Sequence, residues 1–215
     1  MTIAASVYKH YIDSNEPPME RHQHLMQMLR LIYGLQWLWS DRSDCFVSGN
    51  VSIYFNEQQF RNQDFRAPDF FAVKGCTPAP ERRSWVVWLE DGKYPDFILE
   101  ILFDSTASMV RGEKIKIYQN IFRTPEYFLY DPDRQNLEGY RLVNGAYQLI
   151  ACQSGLWWSQ ELALYLGIVN REVRFFDAEK KLILLLDEVA KAEKKRADRL
   201  AEKLRSMNIN LEDLE

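Results

Sequence analysis

The string Pro-Asp-Phe occurs twice, at Pro68-Asp69-Phe70 and Pro95-Asp96-Phe97, and each copy opens a short apolar run. The runs are Phe70-Phe71-Ala72-Val73 and Phe97-Ile98-Leu99-Glu100-Ile101-Leu102. Bounded by prolines and rich in aromatic and β-branched residues, they read as interior strands of one sheet. The second run therefore carries a carboxylate, Glu100, in the middle of a buried strand. Unpaired buried charge is costly, so a fold that buries this strand must give Glu100 a countercharge.

Other elements frame these strands. After Ser14-Asn15-Glu16-Pro17-Pro18, the residues Leu25, Met28, Leu29, Ile32, Leu35 and Trp39 recur three and four apart, the spacing of an amphipathic helix. Phe46–Ser48 and Val51–Phe55 read as strands about a bend at Ser48-Gly49-Asn50. Ser105-Thr106 opens a second helix, with Val110, Ile115, Ile117, Tyr118, Ile121 and Phe122, that Thr124-Pro125 should end. Tyr127–Tyr130 is a further strand, and 137–143 with 146–151 form a hairpin about Asn144-Gly145. The order predicts an α/β fold, a mixed β-sheet flanked by helices.

A chain of 215 residues with 47% hydrophobic content supports one main core, here expected over 1–176. Residues 177–215 are charge-dense and predict a C-terminal helix. Leu186, Leu200 and Met207 fall on one heptad position, and Ala190, Ala197, Leu204 and Leu211 on another, with Glu193 interrupting the seam. That pattern fits either a coiled coil that makes a homodimer or a solvated tail helix.

The net charge of −4 denies the chain an overall positive field for nucleic acid or acidic lipid. Three scattered cysteines without a CxxC pair suit a reduced, cytoplasmic setting, and neither an export signal nor a membrane-spanning run is expected. GxSxG, HExxH and GxxxxGK[ST] are all missing from the sequence. His10, His22 and His24 precede the core and lack an evident nucleophile to activate, which makes histidine catalysis a poor third choice.

Alternation puts Asp96, Ile98 and Glu100 on one face of their strand. Asp96 and Glu100 are roughly 13 Å apart in extended chain, too far to share an ion. Asp96 reads as a strand-start cap. Asp69, also at a strand's start, is the better partner for Glu100, because adjacent strands lie only ~4.8 Å apart. Two carboxylates so close call for a cation between them, and Mg²⁺ or Mn²⁺ suits their hard oxygens. The alternatives are an arginine or lysine on Glu100 and a turn role for Asp69. On the second helix, Ile121, Tyr118, Ile117, Lys114 and Val110 share the core-facing stripe, so Lys114 points inward or snorkels at the stripe's edge. Arg82-Arg83 with Trp85 and Trp88 reads either as a phosphate and stacking patch or as a surface hairpin packed on the core.

Taken in order, Pro68-Asp69, Glu100, Ser105-Thr106, Arg111-Gly112-Glu113-Lys114, Tyr118 and Thr124-Pro125-Glu126-Tyr127-Phe128-Leu129-Tyr130-Asp131-Pro132 resemble the Uma2 family, a former domain of unknown function abundant in cyanobacteria. Leu156-Trp157-Trp158-Ser159 and Leu164-Tyr165-Leu166-Gly167 resemble its cyanobacterial branch. The resemblance runs from about residue 20 to 175. It implies the PD-(D/E)xK, restriction endonuclease-like fold and an Mg²⁺-dependent endonuclease acting on nucleic acid, DNA foremost. It further implies Asp69 and Glu100 as metal ligands and Lys114 as a displaced catalytic lysine; Glu20 reads either as a carboxylate that complements the dipole at the start of the first helix or as a match to an acidic residue some relatives carry there. Two positions depart from the pattern: Leu102 stands where a lysine is usual, and Val110 where an aspartate is common. Both favour the alternative, an inactive scaffold that binds or assembles through its C-terminal helix.

Overall fold

The computed structural model describes residues 22–56, 66–77, 81–102 and 110–206, and the chain divides into two compact units, Met1–Leu182 and Ile183–Glu215. In chain order the elements are α1 (His22–Leu38), β1 (Cys45–Ser48), β2 (Ile53–Tyr54), β3 (Phe70–Lys74), β4 (Trp85–Val86) with a 3-10 turn at Val87–Leu89, and β5 (Phe97–Ile101). Then come α2 (residues 110–122), β6 (Glu126–Asp131), β7 (Asn136–Val143), β8 (Ala146–Leu149), β9 (Cys152–Gln153), β10 (Leu156–Ser159), β11 (Leu164–Val169), β12 (Glu172–Phe176) and α3 (Leu186–Ser206).

The main sheet has the order β1-β3-β5-β6-β7-β8. Its neighbours are antiparallel except β5 and β6, which run parallel. A parallel pair requires a crossover, and the segment carrying α2 provides it. The sheet is therefore mixed, and both of its Pro-Asp-Phe runs are interior strands. Ile98, Leu102, Phe71 and Val73 pack with Trp85, Tyr118, Phe122 and Tyr127 in one core cluster. The rings of Phe70, Phe97, Phe128 and Phe175 form a second set of contacts, with centroids 5.1 to 6.3 Å apart.

Helix α1 buries Met28, Leu31 and Leu35, and Trp39 just past its end is 9% exposed, whereas Leu25 is left exposed. Gln27, also buried, ties α1 to β12: its amide donates to the Val173 carbonyl at 3.1 Å and accepts the Val173 N–H at 2.8 Å.

Three expectations are corrected. The strand over Val51–Phe55 shrinks to Ile53–Tyr54, paired in parallel with Trp85–Val86 outside the main sheet. Residues 152–176 form a separate antiparallel sheet, β12-β11-β10-β9, where no strand was expected from the sequence. Ile121 is 46% exposed, while Tyr118 and Phe122 are buried. The cause is winding: α2 is π-helical over Val110–Lys114 and Tyr118–Phe122. Wider turns move its inward stripe to Lys114, Tyr118 and Phe122, each four apart.

In the second unit, α3 contains no buried residue, and Leu186, Val189 and Leu200 are exposed. Met207 and Leu211 of the expected seam lie outside the described residues. Among the described residues no helix is long and apolar enough to cross a membrane.

Candidate functional site

Asp69 is placed by backbone packing. The Asn50 N–H donates to the Pro68 carbonyl at 2.8 Å, and Gly49 lies so close that an added Cβ would overlap the Asp69 carbonyl oxygen. Across the sheet, Phe71 pairs with Ile98 and Phe70 with Leu99, so one further step sets Asp69 opposite Glu100. Asp69 Oδ2 accepts the Ile101 N–H at 2.6 Å, and Oδ1 accepts a hydrogen bond from His24 Nε2 at 2.7 Å. Its residue exposure is 8%.

Glu100 is 1% exposed. Lys114 Nζ donates to both of its carboxylate oxygens at 3.1 Å, and the Tyr118 hydroxyl donates to Oε1 at 2.7 Å. Burial pushes the Glu100 carboxyl up to about 7; the Lys114 charge opposes that rise and the Asp69 charge adds to it. Burial, then the charge of Glu100, raises the Tyr118 phenol well above its ordinary value, which keeps it a donor.

The structure thus brings Asp69, Glu100 and Lys114 together at one end of the β3–β5 ladder. It also brings His24, which the sequence reading set aside because it precedes the core. The cause is simple: α1 lies against the sheet and brings His24 to Asp69, 45 positions later in the chain. A signal was present, since His24, Met28, Leu31 and Leu35 share one helical stripe. Asp96 sits apart, its Oδ2 accepting the Lys74 N–H at 2.6 Å, and burial raises its carboxyl. Leu102 is 2% exposed in the core cluster, so the countercharge on Glu100 comes from helix α2 rather than from the strand. Glu20 lies outside the described residues, as do the side chains of Val110 and Arg111.

The phosphate-patch reading of Arg82 does not survive. Arg82 is buried, bonded to Glu90 at 2.9 and 3.1 Å, and its guanidinium stands 4.7 Å over Phe46 and 4.8 Å over Trp85. Trp85 is itself fully buried and stacked on Phe46. Arg83 is exposed.

Among the described residues no three His, Cys, Asp or Glu side chains are grouped closely enough to cage a metal ion. A hard divalent ion does not need three; one or two carboxylates, completed by water and substrate phosphate, suffice for Mg²⁺. The opposed carboxylates fit that donor set. Burial is the main reason the Glu100 carboxyl is raised, the Asp69 charge adds to it, and a cation between the two carboxylates would relieve both.

A family model, Uma2, described as "Putative restriction endonuclease", matches residues 13–174. No curated protein matches the chain. Among solved structures, a "putative nuclease belonging to DUF820" from Anabaena variabilis ATCC 29413 is similar at 15% identity and a TM-score of 0.51. The match covers 68% of this chain and 76% of that one, a likeness of fold.

Proposed function

We propose, from the premise that this chain belongs to the Uma2 family, that it is a metal-dependent endonuclease that hydrolyses phosphodiester bonds in nucleic acid, with DNA as the foremost substrate. The observation that carries the reading is the Lys114 ammonium on Glu100, itself opposite Asp69. Asp69 and Glu100 would hold Mg²⁺ or Mn²⁺. Such an ion polarises the phosphoryl oxygen and lowers the pKa of bound water.

The remaining roles belong to the chain's own side chains. The ammonium of Lys114 faces the site where negative charge develops in the transition state and stabilises it. Tyr118 and the Ile101 N–H fix the two carboxylates, so little reorganisation is left for the reacting complex. The His24 ring orients Asp69 through Oδ1. The test is cleavage of plasmid or oligonucleotide DNA with Mg²⁺ or Mn²⁺. Activity should disappear in folded Asp69→Ala and Glu100→Ala proteins; variants that cut like wild type would overturn the reading.

A second reading, a nuclease-like scaffold without catalysis, is favoured by one observation: all four carboxylate oxygens already have protein partners. The buried, apolar Leu102 points the same way. Such a protein would bind or assemble through α3, as a homodimer. Calorimetry showing no divalent binding, with a dimer lost on removal of 183–215, would select it.

A further inference from the structure

We propose that the cavity beside this centre is a subsite for one unstacked nucleotide, so that the strand to be cut is taken as single strand; the proposal rests on the nuclease reading above. The cavity measures about 310 Å³. One wall is the face of α1 that carries Gln23, Met26 and Arg30; the other is built from Ile101, the last residue of β5, from Pro132, just past the carboxyl end of β6, and from Arg171. Ligands of α/β sheets commonly bind outside the carboxyl ends of strands.

Both walls run directly into the candidate centre. Ile101 gives its N–H to Asp69 Oδ2 at 2.6 Å, and Gln23 immediately precedes His24, which donates to Asp69 Oδ1 at 2.7 Å. A phosphodiester held at Asp69 and Glu100 therefore has the cavity as its neighbour along the strand. The half-buried Met26 offers apolar surface to the face of a base over a floor closed by the buried Ile101 and Pro132, and the exposed Gln23 amide offers a donor and an acceptor to its edge. Arg30 is neutralised by Glu172, and Arg171, exposed at the rim, is the cationic group placed for a flanking phosphate.

Size and charge decide between strand and duplex. A volume near the lower end of small-ligand pockets accommodates one nucleotide unit, whereas a duplex enters such a pocket only by extruding a base. Duplex binders draw affinity from many phosphate contacts. With a net charge of −4, this chain has no general surplus of cations to supply them. Stacking and a few local contacts are the remaining source, and they serve a single strand best.

The test uses the full chain without divalent ions and short oligonucleotides carrying 2-aminopurine. The single strand should bind about tenfold tighter than the same sequence as duplex, the worth of a stacked base, with a change in 2-aminopurine emission. Met26→Trp, which narrows the cavity, and Arg171→Glu, which reverses charge at its rim, should each weaken that binding about tenfold. If Met26→Trp fails to fold, Arg171→Glu decides. Equal affinity for duplex, or wild-type affinity in a folded variant, overturns the proposal. Hydrolysis of bis(4-nitrophenyl) phosphate by the wild type with Mn²⁺ tests the centre separately, because that ester reaches it without filling the cavity. Hydrolysis without strand preference sinks the subsite alone; strand preference without hydrolysis sinks the nuclease reading and leaves a nucleotide-binding cavity.

Discussion

Lys114 Nζ stands 3.1 Å from each carboxylate oxygen of Glu100, reaching from α2 to β5 across the one parallel pair of the main sheet. The lysine side chain is 19% exposed and the carboxylate 1%. The ammonium is therefore the group that can withdraw toward solvent.

A divalent ion and this lysine would compete for the same two oxygens, which gives Lys114→Met opposite effects on two observables. Mn²⁺ binding, followed by calorimetry, should tighten because the competitor is gone. Turnover should fall by about a hundredfold, the typical loss on removing one preorganised charge-stabilising donor. A variant that loses metal affinity and turnover together would make Lys114 a structural prop for Glu100.

The raised Glu100 carboxyl has a pH signature. The folded protein holds this proton up to about pH 7, while the unfolded chain releases it near the ordinary glutamate value of 4.5. Between those values the native state binds more protons, so stability falls as pH rises through the window and stays low above it. Glu100→Gln removes the ionisation. Urea melts should show the variant ahead by on the order of 3 kcal/mol at pH 8, a gap that closes as pH falls toward 4.5. A gap independent of pH would mean that Glu100 ionises in the fold as it does in water.

Much of this centre was legible because its logic is local. Strand alternation isolates Glu100, and a four-residue spacing on α2 turns Lys114 inward even though π-winding moves Ile121 out. His24 was legible only in part: its place on the stripe of Met28, Leu31 and Leu35 turns it inward, but its contact with Asp69 depends on where Gln27 docks α1 on β12, a residue pair 146 positions apart. The Arg82–Glu90 pair was hidden for a related reason. Nothing in the spacing of eight residues indicates that both charges are buried, the guanidinium against Phe46 and Trp85.

That pair yields its own prediction. Glu90 is 3% exposed and Arg82 6%, so Arg82→Ala leaves an uncompensated buried carboxylate and should cost about 3–5 kcal/mol. Arg82→Met with Glu90→Leu together should recover most of the loss, because replacing both charges with apolar groups of similar size is often neutral or better. Chemical denaturation of the single and double variants checks this. If the arginine instead served nucleic acid, the double variant would be stable yet bind oligonucleotides more weakly.

Gly49→Ala tests whether the position of Asp69 matters apart from its chemistry. An added Cβ overlaps the Asp69 carbonyl oxygen and comes within 3.0 Å of Met28 Cγ. The backbone there cannot retreat easily, because Pro68 is tied to Asn50 and the Asp69 carboxylate to Ile101. Overpacking of this kind costs about 1–3 kcal/mol, and here it pushes on the carboxylate and on α1 at once. Gly139→Ala is the control. Its Cβ would meet the Phe128 ring at 2.6 Å, on the neighbouring β6–β7 pair. Thermal melts should show both variants destabilised by similar amounts. Under conditions where both are fully folded, Mn²⁺ affinity and DNA cleavage should fall about tenfold or more in Gly49→Ala, as expected when a catalytic group is misplaced by a fraction of an ångström. Gly139→Ala should match the wild type in both. Equal loss in the two variants would mean that general destabilisation, and not the placing of Asp69, sets the activity.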